Sequence, residues 1–317
     1  ASRSGEVRRW PRDRTENGAV MTKMAMPGGD QMSQLAVDSD SRFLAAVNTT
    51  AQLQMWRLAG LETLWSRSDL RQVISMTPTR LAAVSTDDQI VFIDTETGRT
   101  LSELPPFPDG RPVYTAVASP SGRLWLVQSK LGDFALWDAR TMEKIAQTPR
   151  EDLGLEYHDF ISFVVSDQGI SLGQDTRQRL LVWDAHSGEI LTSQNQLHRT
   201  GRISLSQDQK HVSLSSGLGA SRILAFPSLA LVAELPGSRS SGVDLPLHPD
   251  QPIVATQLQR GSISLYDYER QTVRPPLELP RTHDSGLRGQ VTHLAFSPDG
   301  NVLVAADSAG FIRVWRR

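Results

Sequence analysis

The 317-residue chain contains no cysteine, which removes disulfides, thiolate catalysis, iron–sulfur clusters and cysteine-ligated zinc together. A cysteine-free chain suits reducing and oxidising surroundings alike, so the compartment stays open, with the cytoplasm the mild preference. Charge of one sign is lacking too. With 33 basic residues against 35 acidic ones the formal net charge is -2, and no global field draws the surface to nucleic acid or an anionic membrane. No apolar run approaches the ~18 residues a spanning helix needs. The arginine-bearing start, residues 1–14, leads into no signal-peptide core. Neither nucleic-acid binding nor membrane insertion is expected. The first residue is Ala1 rather than an initiating methionine, and a processed or excised piece of a longer chain is the expectation. Lysine is scarce: Lys23, Lys130, Lys144 and Lys210 are all there are, and the other basic residues are arginine. Genomic base composition accounts for such a skew, so a single arginine is weak functional evidence.

What the chain does have is a repeat. Hydrophobic residues make up 39% of it, with 23 glycines, enough for a sizeable core. Residues 291–296 alternate apolar and polar, Ser297-Pro298-Asp299-Gly300 turns, 301–306 form a second strand-like run, Ala309-Gly310 turns again, and 311–315 form a third. The last large residue of each such third run recurs as Trp10, Trp56, Ile93, Trp137, Trp183, Phe226, Tyr266 and Trp315. The first and last are 305 residues apart in seven steps, about 43.6 per step. That is the ~40–45 spacing of a four-stranded propeller blade, and the alternation excludes helical repeats of similar period.

The Trp-Asp pairs at Trp137-Asp138 and Trp183-Asp184, the Phe-Ser-Pro-Asp-Gly at 296–300 and the Gly-Phe-Ile-Arg-Val-Trp at 310–315 resemble the repeats of the WD40 β-propeller family. The resemblance spans almost the whole chain and is closest to degenerate bacterial members, in which a propeller is often fused behind a Ser/Thr kinase or an NTPase switch. It implies an all-β fold: a seven-bladed propeller of four-stranded antiparallel blades. First strands begin near Met32, Gln72, Val113, Phe160, Arg202, Gly242 and Val291. The last unit lacks a fourth strand, which residues 18–25 can supply, so that an N-terminal strand closes the last blade. Residues 5–10 read as a surplus third strand, a remnant of a preceding repeat, and the chain divides into an extension, 1–17, and the propeller, 18–317.

Regular WD40 blades share a buried set of Gly-His, Ser, Asp and Trp. The Asp places are here Thr50, Asp87, Leu131, Arg177, Ala220, Arg260 and Ala309, of which only Asp87 matches. His198 sits near the place of the His, while the final blade has Gly286-Leu287. Cohesion is therefore expected from apolar packing between blades, by residues such as Leu35, Leu44, Val84, Val91, Val127, Leu181, Leu205 and Ile253.

Nucleophile-elbow, metalloprotease and phosphate-loop signatures are absent. No catalytic, metal or cofactor residue is assigned: His293 and His211 read as structural, Asp38-Ser39-Asp40 and Gly217-Leu218-Gly219 as turns. Glu151, Asp152, Glu156 and Asp159 read as solvated loop charge. The function expected is a non-catalytic scaffold or sensor that binds a protein or peptide, a kinase or NTPase domain of the same parent chain included. The rival is a hydrolase or lyase with carboxylates at the mouth of the central channel. Three or more acids or histidines converging there would favour it.

The resemblance places docking on the rim that carries the fourth-to-first and second-to-third connections, where Arg111, Arg150, Tyr157, Arg177, Arg199, Arg260, Arg281 and Arg288 are the candidate partner-binding residues. Arginine and aromatic side chains dominate interface energetics. Whether Tyr157 and its neighbours Leu153 and Leu155 face a partner or fold back onto the blades is left open by the sequence.

Overall fold

The computed structural model describes residues 32–60, 62–104, 107, 110–156, 160–196, 200–216, 220–236, 243–258, 262–278, 290–307 and 312–316, with the strands Ser4–Val7 and Lys23–Ala25. Seven sheets follow one another along the chain. Blade 1 comprises Met32–Val37, Phe43–Asn48, Leu53–Arg57 and Glu62–Arg67. Blade 2 runs from Leu70–Met76 to Thr100–Leu104, blade 3 from Val113–Ala118 to Glu143–Thr148, blade 4 from Phe160–Val165 to Ile190–Asn195, and blade 5 from Thr200–Leu205 to Leu231–Glu234. Each is an antiparallel meander. Among the described residues the one helical turn is Arg150–Leu153, between blades 3 and 4.

Seven apolar clusters hold the ring, each filled by two neighbouring blades. Leu44, Trp56, Val304 and Val314 join blades 1 and 7. All eight residues expected to carry cohesion lie in or against these clusters. The fold is thus closed by side-chain burial, at about 1.5–3 kcal/mol for each fully buried aliphatic group.

Three expectations about strands need correction. In blade 5 the ladder pairs Val212 with Leu224, as Leu44 pairs Trp56 and Leu303 pairs Trp315. Leu224 is therefore the third-strand marker, and Phe226 lies beyond the end of Arg222–Ala225. Among the described residues of blade 6 no first strand forms: residues 243–248 make one bridge, Leu247 to Val254, because Pro246 and Pro249 have no N–H to give a ladder. Its outer strand is likewise split into Thr272–Val273 and Leu277–Glu278 around Pro275 and Pro276. In blade 7 an N-terminal strand does join the sheet, but it is Ser4–Val7, running parallel to Ile312–Arg316. Lys23–Ala25 pairs on the outside of Ser4–Val7 rather than on the C-terminal strand.

The turns between first and second strands are made alike in all seven blades. A side chain just after the first strand accepts a backbone N–H of the turn: Asp38 from Phe43, Thr77 from Arg80, Ser119 from Leu124, Ser166 from Ile170, Ser206 from His211, His248 Nδ1 from Asp250 and Ser297 from Val302. Gly300 closes the last of them at φ +67°, where a Cβ would lie 2.5 Å from the His248 ring. On the same rim Asp94, Asp138 and Asp267 cap the third-to-fourth turns. Thr97 bonds hold the Asp94 carboxyl below its ordinary range, as the Thr141 and Arg140 N–H groups do for Asp138 and the Arg270 N–H for Asp267.

Candidate functional site

The channel wall is built from the innermost segments of the blades, and six of the seven slip register near their start, blade 2 a second time between Val73 and Ser75. The slips fall between Met32 and Gln34, Leu70 and Gln72, Val113 and Thr115, Phe160 and Ser162, Thr200 and Ile203, and Val291 and His293. Such bulges re-aim a side chain. The equivalent positions are Gln34, Gln72, Thr115, Ser162, Arg202, Asp244 and His293, one per blade. Four of them reach the next blade one residue beyond its own member of the series. Gln34 donates to the Val73 carbonyl and accepts from the Val73 N–H, both at 2.8 Å. Gln72 does the same to Ala116 at 2.7 and 3.2 Å. Ser162 Oγ accepts from Ile203 N at 3.2 Å, and the Asp244 carboxylate from the Leu294 N–H.

Gln34→Leu removes a partner from both polar groups of Val73. A loss of about 1–3 kcal/mol is expected, since a partly buried amide group is left unmet. Urea denaturation reads it through the midpoint; a change below about 0.5 kcal/mol would show that the latch carries nothing.

The last three members are ionisable and adjacent. Arg202 Nε stands 3.4 Å from Asp244 Oδ1, and Arg202 Nη2 lies 3.0 Å from His293 Nε2. Beside a guanidinium this nitrogen acts as acceptor, so the imidazole is neutral. Burial first, then Arg202, pushes His293 down to about 4. Burial pushes Asp244 up to about 6, against the pull of Arg202 and the Leu294 N–H. A cavity of about 500 Å³ is lined by Gln34, Gln72, Tyr114, Ser162, Arg202 and Asp244 among others. A second of about 320 Å³ shares Gln34, Arg202 and Asp244 with it. Asp244 is the one carboxylate among the described lining residues, so these do not form the convergence of three acids or histidines that the enzyme reading asked for. Nor do three or more acidic or histidine groups gather at metal-binding distances among the described residues.

On the opposite rim from the capped turns, the structure brings two of the candidate arginines together. Arg111 pairs with Asp133, and Asp133 Oδ1 accepts the Arg150 N–H at 3.1 Å. Arg150 also bonds Glu151 at 3.0 Å and the Leu131 carbonyl at 2.8 Å. Arg177 pairs with Glu156 apart from them, both side chains more than half exposed. Tyr157, Arg199, Arg260, Arg281 and Arg288 lie outside the described residues, as do Asp159 and His198. Leu153 and Leu155 fold back: both are buried between blades 3 and 4. Sequence reasoning missed exposed Tyr114, which lines the channel cavity, and exposed Leu131, whose carbonyl Arg150 holds. It also missed Arg202 and Asp244 as a pair.

Residues 278–316, which hold the C-terminal strands of blade 7, match the family model described as WD domain, G-beta repeat. The chain is a seven-bladed propeller with a WD40 repeat in its last blade. It matches none of the curated proteins. The buried set of regular WD40 blades is indeed incomplete: Asp87, its single matching Asp, is exposed, and the Trp137 indole N–H is buried without a hydrogen-bond partner. Among the described residues no helix of this propeller is long and apolar enough to cross a membrane.

Proposed function

We propose that this propeller is a non-catalytic scaffold that docks a protein or peptide partner on the rim of its second-to-third and fourth-to-first connections, centred on blade 3. WD40 propellers are typically protein-interaction scaffolds and generally non-enzymatic. The observation that carries the reading is exposed Leu131, whose carbonyl is held by Arg150, next to the Arg111–Asp133 pair that also accepts the Arg150 N–H. An exposed aliphatic group beside two arginines suits the centre of an interface. The ion pairs of the rim are solvent-exposed or half-buried, each worth about 0–1 kcal/mol when exposed, so a partner's carboxylates can replace Glu151 or Glu156 at small cost. Arg177, Tyr157, Arg199, Arg260, Arg281 and Arg288 extend the proposed surface. The partner class includes a kinase or NTPase domain of the same parent chain.

A photo-crosslinking residue placed at Leu131 is expected to capture a discrete protein band from cells that produce the chain. The same residue at Leu231, exposed on the outer strand of blade 5, is expected to capture none. Identical bands from both positions would remove the rim as the docking face.

A further inference from the structure

We propose that the central channel holds a small carboxylate-bearing molecule, bound through the free edge of the Arg202 guanidinium. This goes beyond docking on the rim and does not depend on it. The argument is one of elimination around the wall. Both ends of the Gln34 and Gln72 amides are engaged with backbone, Thr115 donates to Gln72, and Ser162 accepts from Ile203. Asp244 faces Arg202 Nε and the Leu294 N–H. Arg71 has both Nη atoms held, by Asp88 and by the Val113 and Tyr114 carbonyls, and its unmet Nε is buried away from the cavity's solvent. Arg202 differs: Nε and Nη2 are engaged, Nη1 has no partner among the described residues, and the side chain is 39% exposed. A guanidinium offers five donors in a planar fork that matches a carboxylate in two-point contact. The cavity before it, about 500 Å³, is within the ~300–1,000 Å³ of small-molecule sites. A cationic ligand fits poorly, because the one acid of the described lining already stands against a guanidinium.

The site has a distinguishing pH dependence. Asp244 is faced by Arg202 from blade 5, by the Leu294 N–H from blade 7 and by neutral Gln34 from blade 1, while His293 stays neutral behind Arg202 above its own range of about 4. Ionised Asp244 opposes an incoming carboxylate; protonated Asp244, below about pH 6, does not. Binding therefore tightens as pH falls through that value and takes up a proton.

Calorimetric titration of the whole chain with acetate, succinate and citrate, at about pH 5.5 and about pH 8 and constant ionic strength, tests this. Saturable binding is expected for at least one acid, several-fold tighter at the lower pH. Asp244→Asn is expected to bind equally at both pH values, and Arg202→Gln, its fold checked by circular dichroism, to lose binding at both. Absence of saturable binding for all three acids, unchanged affinity in folded Arg202→Gln, or an unaltered pH dependence in Asp244→Asn would overturn the site. Should Arg202→Gln fail to fold, the Asp244→Asn profile decides.

Discussion

Replacing Asp307 by Ala is expected to lower the stability of the propeller by about 3–5 kcal/mol, the cost of leaving a buried charge without its partner. Asp307 ends the second strand of blade 7 and receives Arg313 Nη1 at 2.6 Å, with both side chains at most 2% exposed. Arg313 sits in the third strand among apolar residues, with its side chain 2% exposed. The pair itself contributes little, because desolvating two ions offsets most of their attraction. The double replacement Asp307→Leu with Arg313→Leu is therefore expected to recover most of the loss. Urea denaturation of the two single variants and the double variant gives the coupling directly. If the single change costs under about 1 kcal/mol, or the double is worse than the singles added, the pair is not the closed unit its burial implies.

Trp183→Ala is the second large effect, about 3–5 kcal/mol, as for other large-to-small changes at filled core sites. Trp183 is fully buried in the third strand of blade 4. Its ring centroid lies 5.4 Å from that of Phe134 of blade 3, which meets Phe163 edge-on at 5.2 Å. The three rings fill one seam, which the folded-back Leu153 and Leu155 also cover. Ring closure makes the loss cooperative, since a blade that parts from one neighbour loosens its grip on the next. Trp183→Phe keeps most of the volume and is expected to cost clearly less. Equal losses for Phe and Ala would show that the size of the ring is not what the seam requires.

Much of this architecture is legible in the chain because in six of the seven blades the third strand carries a large residue just before its end. Trp56, Ile93, Trp137, Trp183, Tyr266 and Trp315 all occupy equivalent ladder positions. Phe226 misled because it is the larger residue, whereas Leu224 holds the register. The prolines of blade 6 were readable as strand breakers at Pro246, Pro249, Pro275 and Pro276, but the period masked them. Pairing along the sequence is a local signal; the latches of the channel are not. Gln34 and Val73 are 39 residues apart, and neither amide nor backbone announces the other. The same is true of Arg202, Asp244 and His293, which only the closing of the ring makes neighbours. On the rim, sequence shows an arginine but not the acid that answers it, so Arg111 and Arg177 looked free when Asp133 and Glu156 hold them.

The uniform inner turns of the seven blades carry a consequence for engineering. Their side-chain acceptors point back into their own backbone, and an insertion at Ser297 to Gly300 would cut a bonded loop whose glycine has no room for a side chain. Side-chain substitutions for display, or a randomised library, belong across the disc at places such as Leu131, which already stands in solvent. One side of the disc works as chassis and the other as a face that can be redrawn.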